Sequence, residues 1–492
     1  MSYINIILQT VVNILYVPIL LYYVGKSEYG LYQLIGSLIA YFSVMDFGLG
    51  STIVRFYTKY KTLNDKLNME NILAISVFAY GIISIFIFII GIVIYFNIEY
   101  IFSNSMNEYE IGLSQELLLL LLFNLVVSLT TTIFRSVINA HEKYFVLKGL
   151  ETITLVLQPV LIILILQKYP NVFVVALIQT ILNVLFSIVR GYYCFVKLNM
   201  TIKFHYWNKS LYKEFRKLTL SVFIVSIVNQ IFFKTNQVIL GIVSGTVAVA
   251  IYSIAAIIYM NYMALSVAIS GVYLPHVMEI IAKNQPKKIL SDLLITIGRW
   301  QYFLLAAVCS GFFIFGKYFL TVWAGKDFLD AYIITLMIII PFTIDLIQNI
   351  GLSILQAQNK YDFRARVCFC MGIFNLCLAI PLAKMYGGIG CAFATGLSMF
   401  IGNGLIMNWY YLKITKLDIV LFWKNIGRIT IGVIIITIIG YIFNGIIEDK
   451  NIIVFVMKLL VYALLYISIM YKFFMNIEEK SKIKNLVLKF KR

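Results

Sequence analysis

The sequence predicts an all-α, polytopic membrane protein of about 14 transmembrane helices. Three observations lead there. The chain of 492 residues is 61% hydrophobic and only 13% charged, where soluble domains carry about 25% charged residues. Its apolar residues come in blocks of about 20, the length a helix needs to cross roughly 30 Å of hydrocarbon. The cations gather in every second break between blocks. A barrel would instead alternate within segments of about 10 residues, and no such alternation is present.

The spans run over 2–24, 31–54, 71–95, 115–137, 149–167, 172–194, 217–241, 247–273, 290–315, 331–355, 366–384, 388–411, 425–446 and 452–473. The first has no basic leader and no small-residue cleavage site before Gly25, so it reads as a retained helix. The second follows a polar turn, Gly25-Lys26-Ser27-Glu28-Tyr29-Gly30. It holds one carboxylate, Asp46, flanked by Gly48 and Gly50, and it ends at Arg55. A carboxylate at that depth must be hidden in protein or in a wet cavity, since lipid charges roughly 3 kcal/mol for it at the bilayer centre. Pro18, Pro159, Pro275, Pro341 and Pro381 lie in or at the ends of spans, where each frees a carbonyl and favours a kink.

Thirty-two of the 40 Lys and Arg residues lie in one set of helix ends and loops, 55–70, 135–151, 190–217, 279–299, 356–366, 412–428 and the tail from 472. The opposite loops hold Lys26, Lys168, Lys317, Lys326, Lys384 and Lys450. The positive-inside rule makes the first set cytoplasmic and puts both termini inside. The net charge of +18 is therefore a topology signal rather than a nucleic-acid footprint.

A faint repeat is present. Ala140-His-Glu-Lys-Tyr144 and Ala357-Gln-Asn-Lys-Tyr361 share Ala, Lys and Tyr at an offset of 217 residues. The same offset carries the first span onto the seventh. Six helices per repeat is an even number, so the repeats share orientation about an axis along the membrane normal. The expected organisation is a lobe over 1–216, a second over 217–414, a cleft between them bordered by spans 1, 2, 7 and 8, and two appended helices with a basic tail over 415–492.

Polar residues within spans mark the candidate sites. In the seventh span Gln230, Lys234 and Gln237 share one face, with Asn229 and Asn236 beside them. That stripe reads as cavity lining, although Lys234 also has the reach to snorkel outward. Asp46 and Asp345 lie near or just inside the midplane, the latter beside Gln348 and Asn349. Each fits either a cation, proton or cavity site or a helix–helix hydrogen bond made by a protonated carboxyl. Arg55 and Arg299 stand near cytoplasmic ends, as phosphate-binding forks or as positive-inside anchors.

Other chemistries find no support. The six cysteines sit in apolar segments without a CxxC, and the three histidines lack ligand spacing, so neither a disulfide nor a metal is expected. There is no GxxxxGK[ST] loop and no domain to hold one. The longest loops, about 97–115 and 196–216, are too short to bury a core. The chain reads as a non-enzyme without a cofactor, working within or across the bilayer.

Five segments, GKSEYGLY (25–32), DFGLGSTIVRF (46–56), NAHEKY (139–144), GKYFLTVWAGKDF (316–328) and GGIGCAFATGLS (387–398), are similar to the polysaccharide flippase family. This is the Wzx-type branch of the multidrug/oligosaccharidyl-lipid/polysaccharide exporter superfamily. The resemblance covers essentially the whole chain. It implies two six-helix bundles around a central cavity plus two C-terminal helices. It also implies translocation of undecaprenyl-diphosphate-linked oligosaccharide repeats from the inner to the outer leaflet of a bacterial plasma membrane, for O-antigen or capsule. The implied partners are that lipid, the bilayer, and a polysaccharide polymerase with chain-length proteins. On this reading Arg55, Lys234, Arg299, Gln230, Asn229 and Gln237 meet the substrate, and Asp46 and Asp345 are coupling or cavity acids.

Sister branches provide the alternatives. A peptidoglycan-precursor flippase typically shows an arginine cluster in its first helix, whereas span 2–24 has no charged residue. For a cation-coupled multidrug exporter, Asp46 is the one acid in the expected place. Many relatives carry an Asp near position 236, where this chain has Asn236. An integral-membrane polymerase would need a large outer loop or a soluble domain.

Overall fold

A backbone in hydrocarbon must satisfy its own N–H and C=O groups, and the helix does so locally. The computed structural model describes residues 2–206, 227, 230–283, 285–358, 360–447 and 451–490, and among these it is helical, with no strand.

The first helix, α1 (Ser2–Ser43), contains Pro18 and changes direction at Gly25, whose φ of 79° is the left-handed region open to glycine. The second expected span does not run through. It breaks at a 3₁₀ turn, Val44–Asp46, followed by left-handed Phe47 and Gly48. An amphipathic helix, α2 (Leu49–Thr62), then begins. It buries Leu49, Ile53, Phe56, Tyr57 and Tyr60 and exposes Ser51, Arg55, Thr58 and Lys59.

Asp65 caps α3 (Lys66–Phe102) by accepting from the Asn68 amide at 3.0 Å. Asn107 and Glu110 form a reciprocal capping box on α4 (Glu108–Ala140). Next come α5 (Tyr144–Leu166), with Pro159 inside, and α6 (Val172–Tyr192), capped by Asn171. Helix α7 is described over 230–243.

The chain continues as α8 (Thr246–Ser270), a 3₁₀ turn Gly271–Tyr273, and α9 (Leu274–Ala282) with Pro275 in its first turn. A span ending in a 3₁₀ turn and a short amphipathic helix thus occurs twice. Then follow α10 (Lys287–Trp323), α11 (Asp330–Leu346), α12 (Asn349–Ala357) and α13 (Tyr361–Met399), which bends at Gly387 with φ 55°. Short α14 (Met407–Tyr410) lies between π-type turns. Finally come α15 (Ile419–Ile446), α16 (Ile452–Ile469) and α17 (Ile477–Phe490).

Among the described residues, 11 helices are long and apolar enough to cross a membrane. Fourteen spans were expected. Two pairs are continuous through Gly25 and Gly387, and much of the seventh lies outside the described residues.

The chain divides into two compact units, Met1–Ser253 with Ala379–Gly388, and Ile254–Leu378 with Ile389–Arg492. In the first, α4 packs against α1, α2, α3 and α6 around fully buried Tyr29, Tyr80, Leu31, Leu34 and Ile35. In the second, α10 is the hub, touching α11, α15 and α16. Phe315 meets the rings of Tyr462 and Phe455 edge-on at 5.7 and 6.1 Å. The Tyr466 hydroxyl donates to the Phe303 carbonyl at 2.9 Å, and that of Tyr462 to Ser310 Oγ at 2.7 Å. Lys458, charged within a span, stretches to the Ile447 carbonyl at 2.7 Å, so it snorkels along its own hairpin.

Candidate functional site

In the first unit, the break after Ser43 places Asp46 where the fully buried Tyr80 of α3 donates to its Oδ1 at 2.6 Å. Nine residues on, Arg55 is exposed, resting over the Phe56 ring at 6.0 Å. Ser51, Arg55, Thr58, Lys59 and Thr62 all lie on the exposed side of α2. Such a stripe has no place against lipid tails and requires water or head groups.

Helix α7 is divided by its contacts. Gln237 is buried, accepting from Ser37 Oγ and donating to Ser253 Oγ at 2.9 Å. Asn236 donates to Tyr252 Oη at 2.8 Å, and Thr235 bonds Tyr41. These residues form a seam with the second half of α1 and the first turns of α8. Along it a Cβ on Gly30 would fall 1.9 Å from the Thr246 carbonyl oxygen, and one on Gly241 would fall 2.6 Å from the Leu34 side chain. At the Gly30 end of the seam Glu110 accepts from Ser27 and from Thr246 Oγ1, the latter at 2.7 Å. Gln230 and Lys234 are half-buried, and Lys234 has no hydrogen-bond or ion-pair partner among the described residues. Asn229 lies outside the described residues.

In the second unit, Asp345 sits one residue before the end of α11 and faces Arg364 of α13, with Nη2 3.2 Å from each carboxylate oxygen. Nη1 of Arg364 donates to Asn403 Oδ1. Beside this pair Asn408 Oδ1 accepts from Gln348 at 3.1 Å and from the Trp423 indole at 2.8 Å. Sequence reasoning missed Arg364 as a site residue because it counted it among the cytoplasmic topology charges. Its place one turn into a helix was the available signal.

Arg299 is buried, not at an aqueous surface. Its guanidinium holds Glu479 in bidentate fashion at 2.7 and 2.8 Å and donates to the Phe474 carbonyl at 3.0 Å. The sequence did not signal this partner, which lies 180 residues away.

A cavity of about 410 Å³ in the second unit is lined by Tyr302, Phe313, Ile340, Trp423, Ile426 and Val433, among others. Its walls suit hydrocarbon rather than sugar. No group of His, Cys, Asp and Glu that could hold a metal occurs among the described residues.

Comparison with known proteins decides the family. Residues 2–281 match the model of the polysaccharide biosynthesis protein family. The chain belongs to this family. No curated protein sequence matches it. A structure of the lipid II flippase MurJ in an inward closed conformation is similar over 96% of this chain and 98% of that one, with TM-score 0.74 and 18% identity. An inward-facing multidrug resistance MATE family transporter of the MOP superfamily is similar over 83% and 95%, with TM-score 0.63 and 13% identity. An outward-facing MATE transporter is similar over 84% and 94%, with TM-score 0.55 and 14% identity. At such identities the likeness concerns the fold. This member of the polysaccharide biosynthesis protein family thus has a MurJ- and MATE-like transporter fold, and presents an exposed cation on α2 and a half-buried one on α7.

Proposed function

We propose that this chain is a flippase. It moves polyprenyl-diphosphate-linked oligosaccharide units from the inner to the outer leaflet of the bacterial plasma membrane by alternating access of its two six-helix lobes, 1–216 and 217–414. Its termini are cytoplasmic, and a polysaccharide polymerase takes up the product. Lys234 carries the reading. A half-buried ammonium with no partner among the described residues is costly to keep, and an anionic head group supplies one.

A diphosphate carries about two negative charges, and hydrocarbon would exclude it unpaired. Arg55, on the polar side of α2, meets it first, its fork matching phosphate oxygens. Lys234 holds it deeper, with Gln230 one turn away on the same helix and Gln237 keeping α7 on α1; Asn229, which precedes Gln230 in sequence, is a further candidate contact. Between these points the cations replace lost water in a low-dielectric setting, where each contact is stronger than in bulk. The polyprenyl tail needs only apolar surface, such as the cavity walled by α10, α11 and α15. Asp345 offsets the positive charge of Arg364, and Asp46, held by the Tyr80 hydroxyl, is a cavity acid.

The test replaces Lys234 by Gln, Met and Arg in a strain lacking the native gene, with membrane levels checked. Surface polysaccharide falls with Gln and Met and is retained at least in part with Arg. Full export with Lys234→Met removes Lys234 from the mechanism and leaves it a snorkelling side chain.

A further inference from the structure

The last helix is fastened in a way that span packing alone does not require. The final span closes with a π-type turn, Met470–Phe474, and only Met475 and Asn476 separate it from α17. Two extended residues reach about 7 Å, so the first turn of α17 cannot leave the membrane surface. That turn is then fixed in angle. Glu479 receives the Arg299 guanidinium on both oxygens, and the Asn476 amide donates to its Oε2 at 2.7 Å. Arg299 Nη1 also reaches Asn425 Oδ1 at 3.3 Å, joining α10, α15 and α17 at one point. A buried ion pair returns little net stability against packed apolar residues. Its effect here is to set where α17 points.

The pair also consumes one of the two acids of α17, leaving Glu478 against Lys480, Lys482 and Lys484, with Lys489, Lys491 and Arg492 following in sequence. Lys482 and Lys484 are exposed. Apolar Ile477, at the helix start, is 87% exposed, and Phe473, next to Lys472, is 60% exposed. Large apolar side chains set among lysines at the foot of a span match the boundary between acyl chains and head groups, where the rings enter and the ammonium groups reach outward.

We infer that α17 is a membrane-surface helix that binds the head groups of anionic phospholipids, with Arg299 and Glu479 holding it at the angle that lays the face of Ile477, Lys480 and Lys484 on the leaflet while Lys482 adds charge from the other side. Charge complementarity selects this occupant: a cluster of cations tied to the end of a span meets anionic lipid at high local concentration. Each lysine strengthens the association about fivefold at low salt. The inference does not depend on what the protein transports.

The test uses the full-length protein in nanodiscs of phosphatidylcholine alone or with phosphatidylglycerol, followed by hydrogen–deuterium exchange over 476–490. Protection of α17 is expected to rise at least tenfold with phosphatidylglycerol, to fall with added salt, and to lose its lipid dependence in the triple variant Lys480→Gln/Lys482→Gln/Lys484→Gln. That variant leaves Arg299 and Glu479 in place, and exchange in α10 reports its fold. Equal protection in both lipids, or a triple variant that keeps the lipid response, overturns the inference and leaves the lysines as topology charges.

Discussion

Arg364 places one guanidinium nitrogen 3.2 Å from each oxygen of Asp345 and turns another to Asn403. The two charged side chains are 9% and 15% exposed, so each is the other's main compensation. Losing one partner of a buried pair costs about 3–5 kcal/mol, because the survivor stays charged and unpaired. Asp345→Asn and Arg364→Gln are each expected to lower the thermal unfolding midpoint of the purified protein in detergent. The double variant Asp345→Asn/Arg364→Gln should be less damaged than the sum of the singles. Additive losses would show that the two residues act separately.

The fold was legible because its physics is local. Block length and cation spacing locate spans without knowledge of their neighbours, and the glycines at 25 and 387 sit at the breaks between expected spans. The interruption after Ser43 is less legible, because the apolar run over 31–54 continues past Asp46, Gly48 and Gly50 at the length of one span. Partners of the deep charges were not legible at all. Asp345 stood out from its apolar setting, but Arg364 resembled every other cation at a cytoplasmic end. Tyr80 looked like one of 34 tyrosines. Arg299 required Glu479, and nothing in a local window specifies a contact across 180 residues.

Tyr80 gives a second prediction. Its hydroxyl donates to Asp46 at 2.6 Å beside the left-handed Phe47–Gly48 joint. Tyr80→Phe keeps the ring and removes the donor, leaving a carboxylate oxygen short of a partner at a cost of about 1–3 kcal/mol. The midpoint should fall accordingly, and Asp46→Asn in the same background should recover part of the loss. An unchanged midpoint in Tyr80→Phe would mean that water serves Asp46 equally well.

Gly30 and Gly36 form a matched pair on α1. A Cβ on Gly30 would lie 1.9 Å from the Thr246 carbonyl oxygen and 3.1 Å from the Ala250 nitrogen, whereas one on Gly36 meets nothing within 4 Å. Gly36→Ala should be neutral or stabilising by up to about 1 kcal/mol from helix propensity. Gly30→Ala must push α1 away from the start of α8, and folded yield from membranes should drop. Equal yields for the two variants would show that α1 and α8 separate freely.

Topology can be read at the last hairpin. On the cation split the loops at 412–428 and from 472 are expected to be cytoplasmic, which predicts that α15 ends outside. The segment between Ile446 and Ile452 that joins α15 to α16 is short, and Lys458 reaches back toward it through the Ile447 carbonyl. An alkaline phosphatase fusion after Ile447 is expected to be active and one after Phe490 inactive, with the reverse pattern for a cytoplasmic reporter. Replacing Lys480, Lys482 and Lys484 together by Gln should raise phosphatase activity after Phe490 only slightly, since the earlier loops still hold the remaining spans in place. If fusions at both sites report the outside, α16 does not cross the membrane, and the basic tail faces away from the anionic leaflet.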